Sequence, residues 1–447
     1  MGLIHKISIA RAQAVFTEFF GLGRTAAAII VLLICIGMIF AVFWFFHSAP
    51  PDTLVMTSGP EGSIFRSNAE KYAKILARNG VKLKILTSEG SLENLKRLAN
   101  PSFHVDIGFV QGGVDADVKT DKLVSLGSIS YQPLLVFYRS ETPVDLLSEL
   151  SGKRIAIGHA GSGSRTLSLS LLEANGIEPG GKTVLMDLNA TDATKDLIED
   201  KVDAVFLMGD SASVQNIRTL MRTPGIHLLD FTQAEGYTRR IAYLSKLDLP
   251  KGSIDFGKDI PAHDVHLIGP TVELIARSNL HPALSDLLIE AAQEVHGGAG
   301  LLRHKDEFPA PVSYEFAISD DATRYYKSGK SFLYRYLPFW MASLVNRILV
   351  VIVPMIVVMV PAMKMVPAIY RWRISLGIYR WYRAMLTLEQ ELLVQVDPVK
   401  QKELLLRLDS IEQAVNNMKV PASFAEQFYI LRGHIGFVRD RLKGRGI

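Results

Sequence analysis

Two long apolar runs interrupt a chain that otherwise alternates between short apolar stretches and amphipathic ones. Thr25 to Phe46, "TAAAIIVLLICIGMIFAVFWFF", carries no charged residue. At 1.5 Å per helical residue such a run covers a hydrocarbon core roughly 30 Å thick, so the pattern predicts a membrane span over 25–46. A cleaved signal peptide is the rival reading. Its apolar core is usually only about 7–15 residues, and "HSAPPD" puts prolines where small residues would mark a cleavage site. A second span is predicted over 344–370. Its core, "ILVVIVPMIVVMVPAMKMVPAIY" (Ile348 to Tyr370), holds prolines that a soluble helix interior rejects but a bilayer tolerates. Lys364 near its end can snorkel.

Between the runs, strand-like and helix-like segments alternate. "TLVMTS" (Thr53 to Ser58), "VKLKILTS" and "VDIGFV" predict strands; "IFRSNAEKYAKILARNG" and "SLENLKRLAN" predict helices, the first ending at Asn79 and Gly80. The order restarts at "GKRIAIGHAGSGS", continues as a helix to Gly176, and repeats through "KTVLMDL", "TDATKDLIEDK" and "VDAVFLM". The expected fold class is therefore α/β, in two lobes: lobe 1 about 50–135 and 265–338, lobe 2 about 136–264. They join near Tyr131 to Ser140 and His263 to Arg277, a layout that closes by hinge motion.

Beyond the second span, Leu404, Leu408, Ile411, Val415 and Met418 recur at heptad spacing, as do Phe424, Phe428, Leu431, Ile435, Val438 and Leu442. Asp397 with Pro398 marks one helix start, Pro421 separates the two, and Ser423 with Glu426 forms a capping box. An antiparallel helical hairpin over 371–447 is one reading; a coiled coil that docks a partner or a second copy is the other.

Composition then narrows the function. The 447 residues are 48% hydrophobic, at the upper end for a soluble protein, and the spans account for the excess. A formal charge of +4, with no pooled basic face, argues against a nucleic-acid partner. Basic residues flank the spans on one side: Lys6, Arg11 and Arg24 before the first, Arg371, Arg373, Arg380 and Arg383 after the second. By the positive-inside rule both termini, including the segment 1–24, lie in the cytoplasm and about 300 residues lie outside. Cys35, the single cysteine, sits in the first span and forms no intrachain disulfide.

Candidate chemistry concentrates in two loops. In "GHAGSGSRT", Gly161 and Gly163 let backbone amides approach a ligand, while Ser162, Ser164 and Thr166 offer hydroxyls at a helix N-terminus, which favours an anion. No Lys-Ser or Lys-Thr ending makes it a nucleotide P-loop. Arg165 in the first turn opposes the helix dipole unless a carboxylate offsets it; otherwise it is exposed or ion-paired. In "SGPEGSIFR", Gly59 and Gly62 bracket a turn and Ser63 caps the next helix. Arg66 stands four residues before Glu70, a simple ion-pair spacing. His263 and His266 are too few for a metal, no cofactor is implied, and neither G-x-S-x-G nor H-E-x-x-H occurs. Binding is favoured over catalysis.

The ordered set "TSGPEGSIF", "EGSLENLKRL", "VDIGFVQ", "LVFYRSETPVDLLSELSGKRIAIGHAGSGSRTLSLSLLEANGI" and "KVDAVFLM" resembles the TAXI group of solute-binding proteins of tripartite ATP-independent periplasmic (TRAP) transporters, over roughly Leu54 to Tyr326. The resemblance implies a type II periplasmic-binding-protein fold, a Venus flytrap that closes on an amino acid or other small carboxylate for a membrane permease. It places the ligand loops on Ser58 to Phe65, with Ser58, Gly59, Gly62, Ser63 and Phe65, and on Gly161 to Thr166. Gly90 with Ser91 and the strand-end Gln111 complete the implied site. The first loop departs from the family: Glu61 replaces a usual glycine, and Ile64, Phe65 and Arg66 stand where paired tyrosines and a proline are usual. The spans also depart from a secreted receptor. The expectation is a membrane-anchored receptor presenting its solute to a TRAP-type permease; a transmembrane sensor or scaffold signalling through the C-terminal helices is the alternative.

Overall fold

The computed structural model describes residues 24–47, 49–114, 118–393, 398–418, 420 and 424–444. Lys6, Arg11, Asp397, Pro421 and Ser423 lie outside them, and with them two of the flanking charges and the capping box of the last helix. The chain divides into two units, one spanning 49–347 and the other formed by the chain before and after it.

In chain order the elements of the first unit are β1 (Thr53–Thr57), β2 (Lys82–Leu86), β3 (Ile107–Gln111), β4 (Leu123–Tyr131), β5 (Leu135–Arg139), β6 (Arg154–Ala156), β7 (Val184–Met186), β8 (Ala204–Leu207), β9 (Ile226–Leu228), β10 (Leu244–Leu249) and β11 (Val265–Arg277). Preceding them in the chain is α1 (Arg24–His47); among them lie α2 (Ile64–Arg78), α3 (Ser91–Ala99), α4 (Gly163–Ala174), α5 (Ala190–Ile198), α6 (Val214–Arg222), α7 (Ala234–Arg240), α8 (Pro282–His296), α9 (Asp320–Ser328) and α10 (Phe332–Tyr336). Two mixed sheets result. One runs β10-β11-β3-β1-β2, with β4 also on β11; the other runs β7-β6-β8-β5-β9. Within each, β1 pairs parallel to β2 and β3, and β6 pairs parallel to β7 and β8. The α/β expectation holds, in two lobes.

Every residue of β3 is buried, as a central strand covered on both faces requires. β5 shows how one strand serves two cores: Val136 and Tyr138 join one apolar cluster, Leu135 and Phe137 another, the period-2 alternation of a pleated strand. Tyr72, Phe109 and Met56 anchor the core of the first lobe. The lobes connect through two adjacent segments. Gln132 N–H donates to Pro270 O (2.8 Å) and Leu134 N–H to Ile268 O (2.9 Å), so the passage from β4 to β5 lies against β11.

The other unit is helical. Among the described residues one stretch, Phe339–Pro361, is long and apolar enough to cross a membrane; Cys35–Phe46 within α1 is a shorter apolar helical stretch. The second expected span is part of α11 (Phe339–Leu393), which starts before residue 344 and continues unbroken past 370. Its tail supplies Ile378, Met385, Leu388 and Leu392 to the same buried cluster as Leu404 and Leu408 of α12 (Pro398–Asn416) and Ile435 and Val438 of α13 (Ala425–Gly444). The arrangement expected as two helices thus involves three. No glycine-proline stop follows Tyr370, and apolar residues at spacings of three and four carry the helix into the cluster.

Candidate functional site

In both sheets the strand order reverses beside the first parallel strand, β1 in one lobe and β6 in the other. Loops leaving the carboxyl ends of strands at such a point shape a ligand crevice. Here they lead into capped helices. Ser63 Oγ accepts from Arg66 N–H (3.1 Å), Ser162 Oγ from Arg165 N–H (3.2 Å), and Ser213 Oγ from Asn216 N–H (3.1 Å), each cap stabilising its helix by about 1 kcal/mol.

The loop after β8 carries the group on which these ends converge, Asp210, which is fully buried. Its carboxylate accepts from Gly163 N–H (2.6 Å), Ser164 Oγ–H (2.8 Å) and Ser211 Oγ–H (3.0 Å). The backbone N–H of Ser91, the first residue of α3 in the opposite lobe, also bonds it. Burial pushes the Asp210 carboxyl up from the ordinary aspartate value, while the bonds from Ser164, Gly163, Ser211 and Ser91 pull it down. Around it the loops interlock. Phe65 N–H donates to Gly209 O and Ile64 N–H to Ala212 O (both 3.3 Å), and Glu93 N–H donates to Gly161 O (3.0 Å). With its amide oxygen turned toward them, Gln132 accepts from Gly209 N–H (2.6 Å) and Asp210 N–H (2.5 Å). A Cβ on Gly90 would stand 2.5 Å from Asp210 Oδ2, and one on Gly59 2.6 Å from Asp210 O. Only glycine admits this approach.

The structure therefore gathers most of the sequence candidates at one interlobe contact. Gly59, Gly90, Ser91, Gly163 and Ser164 surround Asp210 or its loop. Gln111 lies against Gly163, with its Oε1 buried and unpartnered. Ser58 sits behind, its Oγ donating to Leu86 O (3.2 Å). Ser162 and Thr166 work within α4, Thr166 Oγ1 donating to Ser162 O (3.4 Å), and Gly161 abuts Glu89. Phe65 is a core residue, its ring 5.4 Å from that of Phe109. Gly62 is exposed with open space about it. Arg165 meets Asp187 in its own lobe (3.4 Å), which supplies the compensating carboxylate. Arg66 pairs with Glu70 (3.0 Å).

Two residues escaped the sequence reading. Asp210 follows directly on the strand "VDAVFLM", where "GDS" at a strand end was the available signal. Asn94 had none: its Nδ2 donates to Ser58 O (2.5 Å) and Phe109 O (2.9 Å), and its Oδ1 accepts from Thr57 (2.6 Å) and Ser88 (2.7 Å). This buried hub fixes the ends of β1 and β3 behind the contact. His266 bonds Asp230 (3.1 Å), and among the described residues no group of His, Cys, Asp and Glu could hold a metal ion.

Among solved structures the chain is similar to the periplasmic aliphatic sulphonate-binding protein SsuA from Escherichia coli, 16% identical over 55% of this chain and 69% of that one, with a TM-score of 0.36. An ancestral arginine-binding protein bound to arginine is 14% identical over 55% and 92%, TM-score 0.35. PhnD1 from Prochlorococcus marinus with methylphosphonate is 11% identical over 55% and 84%, TM-score 0.36. No curated protein matches the chain in sequence. Residues 64–294 match the NMT1-like family, and because that match spans more than half of the 447 residues, this protein belongs to the NMT1-like family.

Proposed function

We propose that the protein is a membrane-tethered receptor whose two lobes close on a small solute, a type II periplasmic-binding-protein module of the Venus-flytrap kind held at the outer face of the cytoplasmic membrane. One observation carries this reading: donors from both lobes meet on the single Asp210 carboxylate. That is the closed form of a hinged pair, latched by a charge-assisted contact. Ser91, Gly163 and Ser164 are the donors of the latch, and Gly59 and Gly90 are its clearance. The solute in this reading is a small carboxylate, and the partner is a TRAP-type permease in the same membrane, as the TAXI resemblance implies. Tethering keeps receptor and permease at high effective concentration. Both termini are cytoplasmic, with α1 and the start of α11 as the two spans.

A second reading, a transmembrane sensor, is favoured by the 55-residue α11. One unbroken helix runs from the end of the two-lobed unit into the cluster of α12 and α13, which suits a rod that reports lobe closure to a cytoplasmic partner.

Hydrogen exchange on the full chain in detergent, with and without a small-molecule extract, tests the receptor reading. Slower exchange is expected at Ile64, Phe65 and Gly209 to Ala212 when the extract is present, because their interlobe bonds open only when the lobes part. Identical exchange in both samples sinks it. Pull-down of a permease against that of a cytoplasmic partner separates delivery from sensing.

A further inference from the structure

Beside the Asp210 contact, between the lobes, lies a cavity of about 230 Å³. Ile64, Phe109 and Val272 of the first lobe and Ile217 of the second give it apolar walls, and Gln132 of the crossing segment closes one side. Three basic residues also line it: Lys71, His296 and Arg303. Lys71 Nζ donates to Asn68 Oδ1 (3.2 Å) and Arg303 Nε to Gly298 O (2.9 Å), so both cations spend these bonds on neutral partners. The nearby acid, Glu307, is engaged by Tyr131 Oη–H (2.8 Å) and His304 N–H (2.6 Å).

His296 is 2% exposed and its Nε2 has no hydrogen-bond partner. The Tyr72 hydroxyl, whose ring lies 5.8 Å from that of His296, is also buried and unpartnered. Native proteins rarely leave such groups unpaired. Burial first, then Arg303 and Lys71, hold the imidazole down to about 3, so it is neutral at pH 7 and hydrogen-bonds without adding charge. An apolar cavity of about 150 Å³ accommodates benzene, so this one has room for a ring or a branched chain plus a carboxylate. The glycine loops offer less, because their amides are already bonded across the lobes.

We propose that this cavity is the solute site. It takes a monocarboxylic acid with a compact apolar body, the carboxylate toward Lys71 and Arg303, the hydrocarbon against Ile64, Phe109 and Val272, and His296 Nε2 as a neutral hydrogen-bonding partner. The inference rests on the receptor reading and moves the ligand from the glycine loops to the far side of α2. Because both lobes wall the cavity, an occupant there links them without displacing Asp210.

Calorimetry on the full chain in detergent tests it with phenylacetate and 4-methylpentanoate, using phenylacetamide and inorganic phosphate as controls. At least one acid is expected to bind, at least about tenfold more tightly than the uncharged amide or phosphate. The double variant Lys71→Glu/Arg303→Glu, and separately Asn68→Trp at the cavity wall, are each expected to weaken it at least about tenfold. Undiminished affinity in both variants overturns the cavity assignment and leaves the receptor reading standing. Failure of both acids to bind the unaltered chain also overturns the assignment, and the exchange experiment with the extract then decides on the receptor reading independently.

Discussion

Asp210 gathers the strongest polar contacts of the two-lobed unit around one side chain. A buried carboxylate is tolerable because four donors face it, and each donor is tolerable because the carboxylate is there. Asp210→Ala leaves Gly163 N–H, Ser91 N–H and two hydroxyls without their acceptor. It is expected to lower stability by about 1–3 kcal/mol and to open the lobes; urea unfolding and small-angle scattering of the full chain check the two effects. His296 gives a second prediction, in pH. Its folded-state value of about 3 lies below the ordinary 6.5, so the unfolded chain takes up a proton first as pH falls. The associated stability is present above about 6.5 and lost below it, at most about 1.4 kcal/mol per pH unit. Unfolding at pH 7 and pH 5.5 should show about 1 kcal/mol more loss in the natural chain than in His296→Gln. Equal losses contradict the buried neutral imidazole.

At the scale of elements, the crossing of β11 with the β4–β5 passage decides whether the lobes hold together. Gly269 makes it possible, for a Cβ there would overlap the Gln132 carbonyl, which is backbone and cannot give way. Gly269→Ala is therefore expected to cost at least about 1–3 kcal/mol. Gly236→Ala, in α7 with open space around it, is the control and should be neutral or stabilising by up to about 1 kcal/mol. Thermal unfolding of both variants checks the contrast. In the helical unit, Ile378, Met385 and Leu388 on α11 share their core with α12 and α13. A deletion of 397–447 strips cover from those residues, so a point change that leaves the helices in place is the cleaner probe of what this cluster does.

For the whole molecule the proposal fixes a topology. With Cys35→Ser removing the native thiol, Glu141→Cys on the exposed surface of the two-lobed unit should react with a membrane-impermeant maleimide in intact spheroplasts. Arg380→Cys, exposed on α11 beyond the apolar stretch, should react only after permeabilisation. The reverse pattern refutes the orientation drawn from the basic flanks. Much of this protein was legible in its sequence because the information is local. A strand announces itself in "VDIGFV" and a helix cap in Ser63 or Ser162, since period and capping bonds act within a few residues. The glycine and serine loops were identified for the same reason, down to the clearance at Gly59 and Gly90. Which partner those loops meet was not legible. Gly163 and its acceptor Asp210 are 47 positions apart, Ser91 reaches the same carboxylate from the other lobe, and nothing local distinguishes a protein carboxylate from a solute's. Likewise the grouping of Lys71, His296 and Arg303 around one cavity, and of α11 with the two later helices, depends on how distant segments cross. Sequence determined the elements and the kind of chemistry at their ends; the tertiary path alone decided which groups satisfy one another and where space remains.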